Sequence, residues 1–193
     1  MKTQRTHLQF GTLGWGEGFE QANFFPEDLP DEWRLTYLSN EFNCVAISVV
    51  ELQSLDVDVV EEWVDDTHDQ FGFYLRIDAV LSQESLFEKL SPLKERLRGI
   101  LLEDGVEAAA ANGVRFIDLK PVLIKGESME SVVRLVAGEG VALIELQQPL
   151  APMEVRRVVE RLRELSVDTL LFVPSAGLME SVATFETISS LLG

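Results

Sequence analysis

The sequence predicts an α/β fold assembled from repeated βα units, on three observations. Short apolar runs alternate with longer amphipathic segments from one end of the chain to the other. The short runs are rich in Val, Ile, Leu and Phe, as strands buried on both faces require. Helical patterns stop at glycine or begin beside proline, the residues that end or open a helix. With 46% hydrophobic residues over 193 positions the chain can bury one substantial core, and two domains would be cramped, so a single domain over residues 1–193 is expected.

Seven strands are expected: His7 to Leu13, Asn43 to Val50, Gly72 to Asp78, Arg98 to Glu103, Gly113 to Leu119, Gly140 to Leu146, and Asp168 to Val173. A helix from Asp31 to Glu41 follows Pro30 and places Trp33, Tyr37 and Leu38 inward; Asp58 to His68 does the same with Val60, Trp63 and Val64. Ser82 caps a segment running to Arg96, with Leu86, Leu90, Leu93 and Leu97 at helical spacing. Pro92 breaks it, because proline inside a helix costs about 3 kcal/mol. Val106 to Ala111 forms a short helix stopped at Asn112-Gly113, and Ser128 to Ala137 forms another ending at Gly138. Pro152 to Leu165 opens on a proline whose missing donor costs little there, and Leu178 to Leu192 closes the chain. Seven units leave about 27 residues each; such units curl into a barrel or lie as an open doubly wound parallel sheet, and periodicity does not choose between them.

Composition removes several functions. The 33 acidic and 16 basic residues give a net charge of −17, which repels nucleic acid and anionic membrane surfaces. The densest basic run, Arg156, Arg157, Arg161 and Arg163, is interleaved with Glu154, Glu160 and Glu164 and reads as an ion-paired helix face. Cys44 is the one cysteine, so no intrachain disulfide forms, and its apolar neighbours predict a buried, inert thiol. The opening MKTQRTHLQF lacks the apolar stretch of a signal peptide and no window reaches the roughly 18 apolar residues of a membrane span, so a cytoplasmic location is expected.

The run from Phe10 to Ser48 carries the most specific pattern. It contains Gly11, Thr12, Gly14 and Trp15, then Phe25-Pro26, Leu29-Pro30, Trp33 and Tyr37, then Phe42, Asn43, Val45 and Ile47. In position and spacing this resembles the YecE-like family, domain of unknown function 72. Its members open with a Gly-(Thr/Cys)-(Ser/Ala)-Gly-Trp turn and have a second strand reading roughly Phe-(Asn)-x-Val-Glu-(Ile/Leu)-Asn. The resemblance implies a TIM-type βα barrel, here shortened or incomplete at about seven units. Two departures stand out. Ala46 and Ser48 occupy the places of the family's Glu and Asn. Where relatives often show Glu-Phe-Arg-His-Pro-x-Trp, this chain has Ile117-Asp118-Leu119-Lys120-Pro121-Val122-Leu123. Aligned on Pro121, the Glu, Arg, His and Trp are all replaced, so their roles are not carried over.

In a barrel the residues just after each strand converge at one mouth. That filter selects Gly14, Trp15, Arg76, Asp78, Asp118, Lys120 and Glu145 as the ligand-pocket residues, with Glu51 and Glu103 beside them. The Gly14-Trp15-Gly16 turn either lets backbone approach a ligand under an indole or serves only turn geometry with Trp15 as a plug. Pairs such as Asp118 with Glu145, or Asp78 with Glu103, suit acid/base work if their environments differ, while Arg76 and Lys120 are placed to neutralise them as a polar plug. His7 and His68 are the only histidines; with Cys44 alone, no metal site is expected. The acidic run Glu61-Glu62-Trp63-Val64-Asp65-Asp66 reads as a solvated helix face. Ser175 follows a strand but has no histidine base at a strand end. Gly14-x-Gly16-x-Gly18 lacks the spacing of a phosphate-binding loop, and no cofactor is expected.

Two functions remain in view. The first is a non-catalytic or vestigial barrel protein with a binding or interaction role, its partner a small molecule or a basic protein surface, with a homo-oligomer also compatible. The second is a small hydrolase or lyase using mouth carboxylates, with Arg76 or Lys120 as electrostatic stabiliser. Whether these residues converge on an open pocket separates the two.

Overall fold

The computed structural model describes residues 7–16, 18–77, 89–103, 114–124 and 132–192. Among the described residues nine strands form a single sheet in the order β5-β4-β3-β2-β1-β9-β8-β7-β6. They are β1 Gln9–Leu13, β2 Cys44–Ser48, β3 Gly72–Ile77, β4 Leu97–Leu102, β5 Phe116–Asp118, β6 Lys120–Pro121, β7 Val133–Ala137, β8 Val141–Leu146 and β9 Thr169–Phe172. All seven expected strands are present, and all seven run parallel.

Strands β5 and β6 lie at opposite edges of that order yet are separated in sequence only by Leu119. One extended run therefore joins both edges. Its first half pairs with β4, and the Leu119 N–H still donates to the Leu102 carbonyl at 2.9 Å. Its second half pairs with β7, and the Val122 N–H donates to the Leu135 carbonyl at 2.8 Å. The nine strands thus make eight staves of a ring, which settles the architecture as a βα barrel rather than an open sheet.

The stave that departs from the expected pattern is β7. A helix was expected over Ser128 to Ala137; residues 133–137 are instead a strand, antiparallel to both neighbours. The run Val132 to Ala137 is rich in β-branched residues, and its alternation places Leu135 and Ala137 in the outer core. Gly138, read above as a helix stop, belongs instead to the hairpin from β7 to β8, with Gly140 at φ 75°. An antiparallel neighbour needs only a hairpin where a parallel one needs a crossover of a dozen or more residues. That economy fits eight staves into 193 residues.

Six helices accompany the sheet among the described residues: α1 Phe19–Ala22, α2 Arg34–Glu41, α3 Val49–Ser54, α4 Val57–Asp65, α5 Pro152–Glu164 and α6 Leu178–Leu192. Helix α2 is preceded by a 3-10 turn, Asp31–Trp33, rather than extending back to Asp31. The tighter turn carries Trp33 out to 63% exposure, correcting its expected inward place, while Leu35 and Leu38 are buried. Val60 and Trp63 of α4 pack inward as expected. Ser91 to Arg96 follows as turns after Leu90, consistent with a break at Pro92. The expected helix at Val106 to Ala111 lies outside the described residues, as do residues 82–88 of the Ser82 segment. Helix α5 starts at Pro152, and the Glu154 carboxylate accepts from the Ala151 N–H at 2.9 Å. Its basic face is ion-paired, Arg156 with Glu160 at 2.8 Å and Arg161 with Glu164 at 2.7 Å.

Strand alternation divides the core in two. Phe10, Val45, Ile47, Phe73, Leu75, Leu170 and Phe172 point outward to the helices. Cys44, Ala46, Tyr74, Leu101, Ile117, Leu119, Val141, Leu143 and Leu171 fill the barrel interior. The interior is a packed core, not a channel.

Candidate functional site

The barrel is open at the C-terminal ends of its parallel strands. A cavity of about 760 Å³ lies there, lined by the ends of β1, β2 and β3 and by the segments that follow β1, β2 and β9. Each wall follows from local sequence. After β1, the Thr12 hydroxyl donates to the Gly14 carbonyl at 2.9 Å and the Gly14 N–H donates to the Ala46 carbonyl at 2.8 Å, tying the turn to β2. Gly14 has φ 66° and Gly18 φ 85°, conformations that disfavour other residues. Gly14, Gly16 and Gly18 therefore give this wall a bare backbone.

The second wall is the turn from β2 into α3. Ser48 precedes the helix, and its Oγ accepts from the Val50 N–H at 3.3 Å. Ser48, Val50, Glu51 and Ser54 all line the cavity. Strand β2 was expected to run to Val50; it stops at Ser48 because Ser48-x-x-Glu51 has the spacing of a helix start. That spacing was the readable signal for Ser48, Val50 and Ser54, where the strand-end reading had named Glu51 alone of this wall. Val173 and Pro174, after β9, complete it.

Arg76, near the end of β3, is the cation of the lining. Its Nε donates to Glu103 Oε1 at 2.8 Å, and its second nitrogen lies 2.6 Å from the same oxygen. Arg76 is 21% exposed and Glu103 26%, so the pair is largely shielded from water. Glu103 in turn lines a smaller cavity of about 250 Å³ with Leu119, Pro121, Arg134, Leu135 and Val136. The ion pair thus stands between the two cavities.

Of the residues selected from the sequence, Gly14 and Arg76 line the larger cavity. Trp15, between two lining glycines, meets Trp63 of α4 edge-on at 4.9 Å. Asp118 and Lys120 pair with each other at 3.3 Å and are more than half exposed. Glu145 pairs with Arg134 at 3.6 Å. Asp78 lies outside the described residues. Arg134 was not selected because Ser128 to Ala137 was expected to be a helix; it lies instead near the start of β7, the end of that antiparallel strand that faces the mouth. His68 contacts the Ser39 carbonyl at 3.0 Å beyond α4, and His7 is exposed before β1, so neither histidine lines either cavity.

Beneath the mouth the interior carries its own polar groups. Burial pushes the Cys44 thiol from its ordinary 9.0 up to about 12, against a smaller lowering by the Arg98 charge. Burial also raises Tyr74, partly offset by a side-chain hydrogen bond with Thr169. Native Cys44 is expected to resist iodoacetamide at pH 8 and to react fully in guanidinium chloride, as read by mass spectrometry. Rapid native labelling would contradict its burial. Both groups are raised in the folded state, so they bind protons more tightly there than when unfolded. For Cys44 the contribution is complete below the unfolded value of 9.0 and is lost as pH rises towards about 12; Tyr74 acts in the same direction.

Among the described residues no group of three or more His, Cys, Asp and Glu side chains is arranged to hold a metal ion, and no helix is long and apolar enough to cross a membrane. No curated protein matches the chain. Solved structures resemble it at low identity. A crystal structure of a DUF72 family protein, EF0366 of Enterococcus faecalis V583, aligns with TM-score 0.61 and 10% identity over 95% of both chains. A second crystal structure of that protein aligns with TM-score 0.60 and 11% identity over 98% of this chain and 99% of the other. A third, of the DUF72 family protein TM1631 of Thermotoga maritima MSB8, gives 0.57 and 12% over 96% and 98%. At such identities these likenesses establish the fold alone. The family described as protein of unknown function DUF72 matches residues 9–169, from the first strand into the last, and the chain belongs to that family.

Proposed function

We propose that the protein binds a small uncharged polar molecule of the polyol class in the larger mouth cavity, without transforming it. The observation that carries this reading is the lining itself. Its two charged residues, Arg76 and Glu51, have opposite signs, so the walls do not select strongly for an ion. The rest is hydroxyl from Ser48 and Ser54, bare backbone at the glycines, and apolar surface from Leu13, Val50, Val173 and Pro174. Such a mixture suits hydroxyl groups on a carbon frame.

The interior supports binding over chemistry. Ala46, Ile117 and Leu119 are fully buried where relatives often carry Glu, Glu and Arg. The hydrolase or lyase reading called for carboxylates gathered with Arg76. Asp118 and Glu145 instead pair with Lys120 and Arg134 away from the larger cavity, and the carboxylate that does meet Arg76, Glu103, is held by it in an ion pair.

Titration of the labelled protein with myo-inositol and with ribose, followed by amide NMR, tests this. Shifts are expected at Gly14 to Gly18, Ser48 to Ser54 and Arg76; no shift there from either polyol would overturn the reading. Turnover of a bound polyol would transfer the site to the enzyme class. Gly16→Phe gives the matching variant. A Cβ at Gly16 meets nothing within 4 Å and its φ is not positive, so the ring can enter the cavity without strain. Stability is expected to change by at most about 0.5 kcal/mol. Polyol binding is expected to weaken at least about tenfold, a cost of roughly 1.4 kcal/mol.

A further inference from the structure

We propose that the smaller mouth cavity is a second, separate site that takes a small zwitterion, an amino acid with ammonium and carboxylate on one short carbon chain. The cavity holds about 250 Å³, ample for such a molecule. Both contacts from Arg76 converge on one oxygen of Glu103, Oε1. The other oxygen, Oε2, accepts no hydrogen bond from the described residues. Arg134 shows the complementary condition. Its contact with Glu145, at 3.6 Å, is longer than a hydrogen bond, and its guanidinium makes none to the described residues.

One lining therefore offers a carboxylate oxygen with no donor among the described residues, a guanidinium with donors to spare among them, and the apolar surface of Leu119, Pro121 and Val136. A lone cation placed there is repelled by Arg134 and a lone anion by Glu103. A ligand carrying both charges satisfies both, through charge-assisted hydrogen bonds. This differs from the larger cavity, whose lining adds serine hydroxyls and bare glycine backbone.

The experiment titrates the full-length protein with glycine, β-alanine and γ-aminobutyrate, which separate the two charges by increasing lengths. Propionate and propylamine serve as single-charge controls at equal ionic strength. At least one amino acid is expected to bind about tenfold more tightly than either control, shifting the amides of Leu119 and Val136. Glu103→Gln and Arg134→Gln are each expected to remove that preference. Should Glu103→Gln fail to fold for want of its Arg76 pair, Arg134→Gln decides alone, since Arg134 is exposed and outside that pair. Equal binding of amino acids and controls, a preference surviving in Arg134→Gln, or shifts confined to Gly14 to Gly18 would each overturn the proposal. Polyol binding in the larger cavity is read at different residues, so either site can fail without the other.

Discussion

Phe172→Ala is expected to lower the unfolding free energy by about 3–5 kcal/mol, the range for removing a large aromatic from a close-packed core. Phe172 is 1% exposed on the outer face of β9. Its ring meets Phe185 of α6 edge-on at 5.4 Å and Phe10 of β1 at 6.2 Å. One side chain thus joins the last strand, the first strand and the last helix. Truncation leaves a cavity that three separately anchored elements cannot all close, and aromatic pairing is lost as well. Urea denaturation measures the loss; a value below about 1 kcal/mol would mean that this seam does not carry the load assigned to it.

The second large effect comes from adding atoms. Gly11→Val is expected to destabilise the barrel by about 3 kcal/mol or more, or to prevent folding, because the interior has no space beside β1. A Cβ there would lie 2.5 Å from the Cys44 carbonyl oxygen, 2.5 Å from its Sγ and 2.8 Å from Leu171 Cδ2. Gly11 pairs with Cys44 in register, so the obstruction is partly the neighbouring strand itself. Two further variants divide the cause. Gly11→Ala is expected to be milder, and Cys44→Gly added to it should restore part of the loss by removing the sulfur, but not the part owed to the carbonyl. A double-mutant cycle in urea isolates that coupling. Complete rescue would place the conflict in side chains alone.

Much of this architecture was legible because parallel strands buried on both faces leave apolar runs that need no partner information. Each of the seven such runs is a strand of the ring. The inverted stave was not legible. Val133 to Ala137 is short, and Gly138 stops a helix and turns a hairpin equally well, so neighbouring residues could not decide. Tertiary pairing with β8 and with the closing run at Lys120-Pro121 decided it. The same segment hid Arg134, because a search of strand ends does not look inside a stretch expected to be a helix, and β7 also runs against the direction such a search presumes. Arg76 was found by that search, since β3 obeys the presumption. Its partner Glu103 was visible as a strand-end acid; that both contacts fall on one oxygen was not. Trp15 shows the opposite limit: the turn that carries it was recognisable, but its packing on Trp63 depends on where α4 lies.

The pairing of β1 with β9 bears on how the protein is made. Gln9 aligns with Thr169 and Thr12 with Phe172, so β1 emerges from the ribosome well before β9 and finds its second neighbour only when β9 has been synthesised. At roughly 5–20 residues per second, that interval is on the order of ten to thirty seconds. Throughout it β1 presents an unpaired edge, a template for pairing with another chain. Nascent copies on one messenger are therefore most exposed to mispairing before Thr169 to Phe172 appear, and chains truncated ahead of β9 carry that edge permanently.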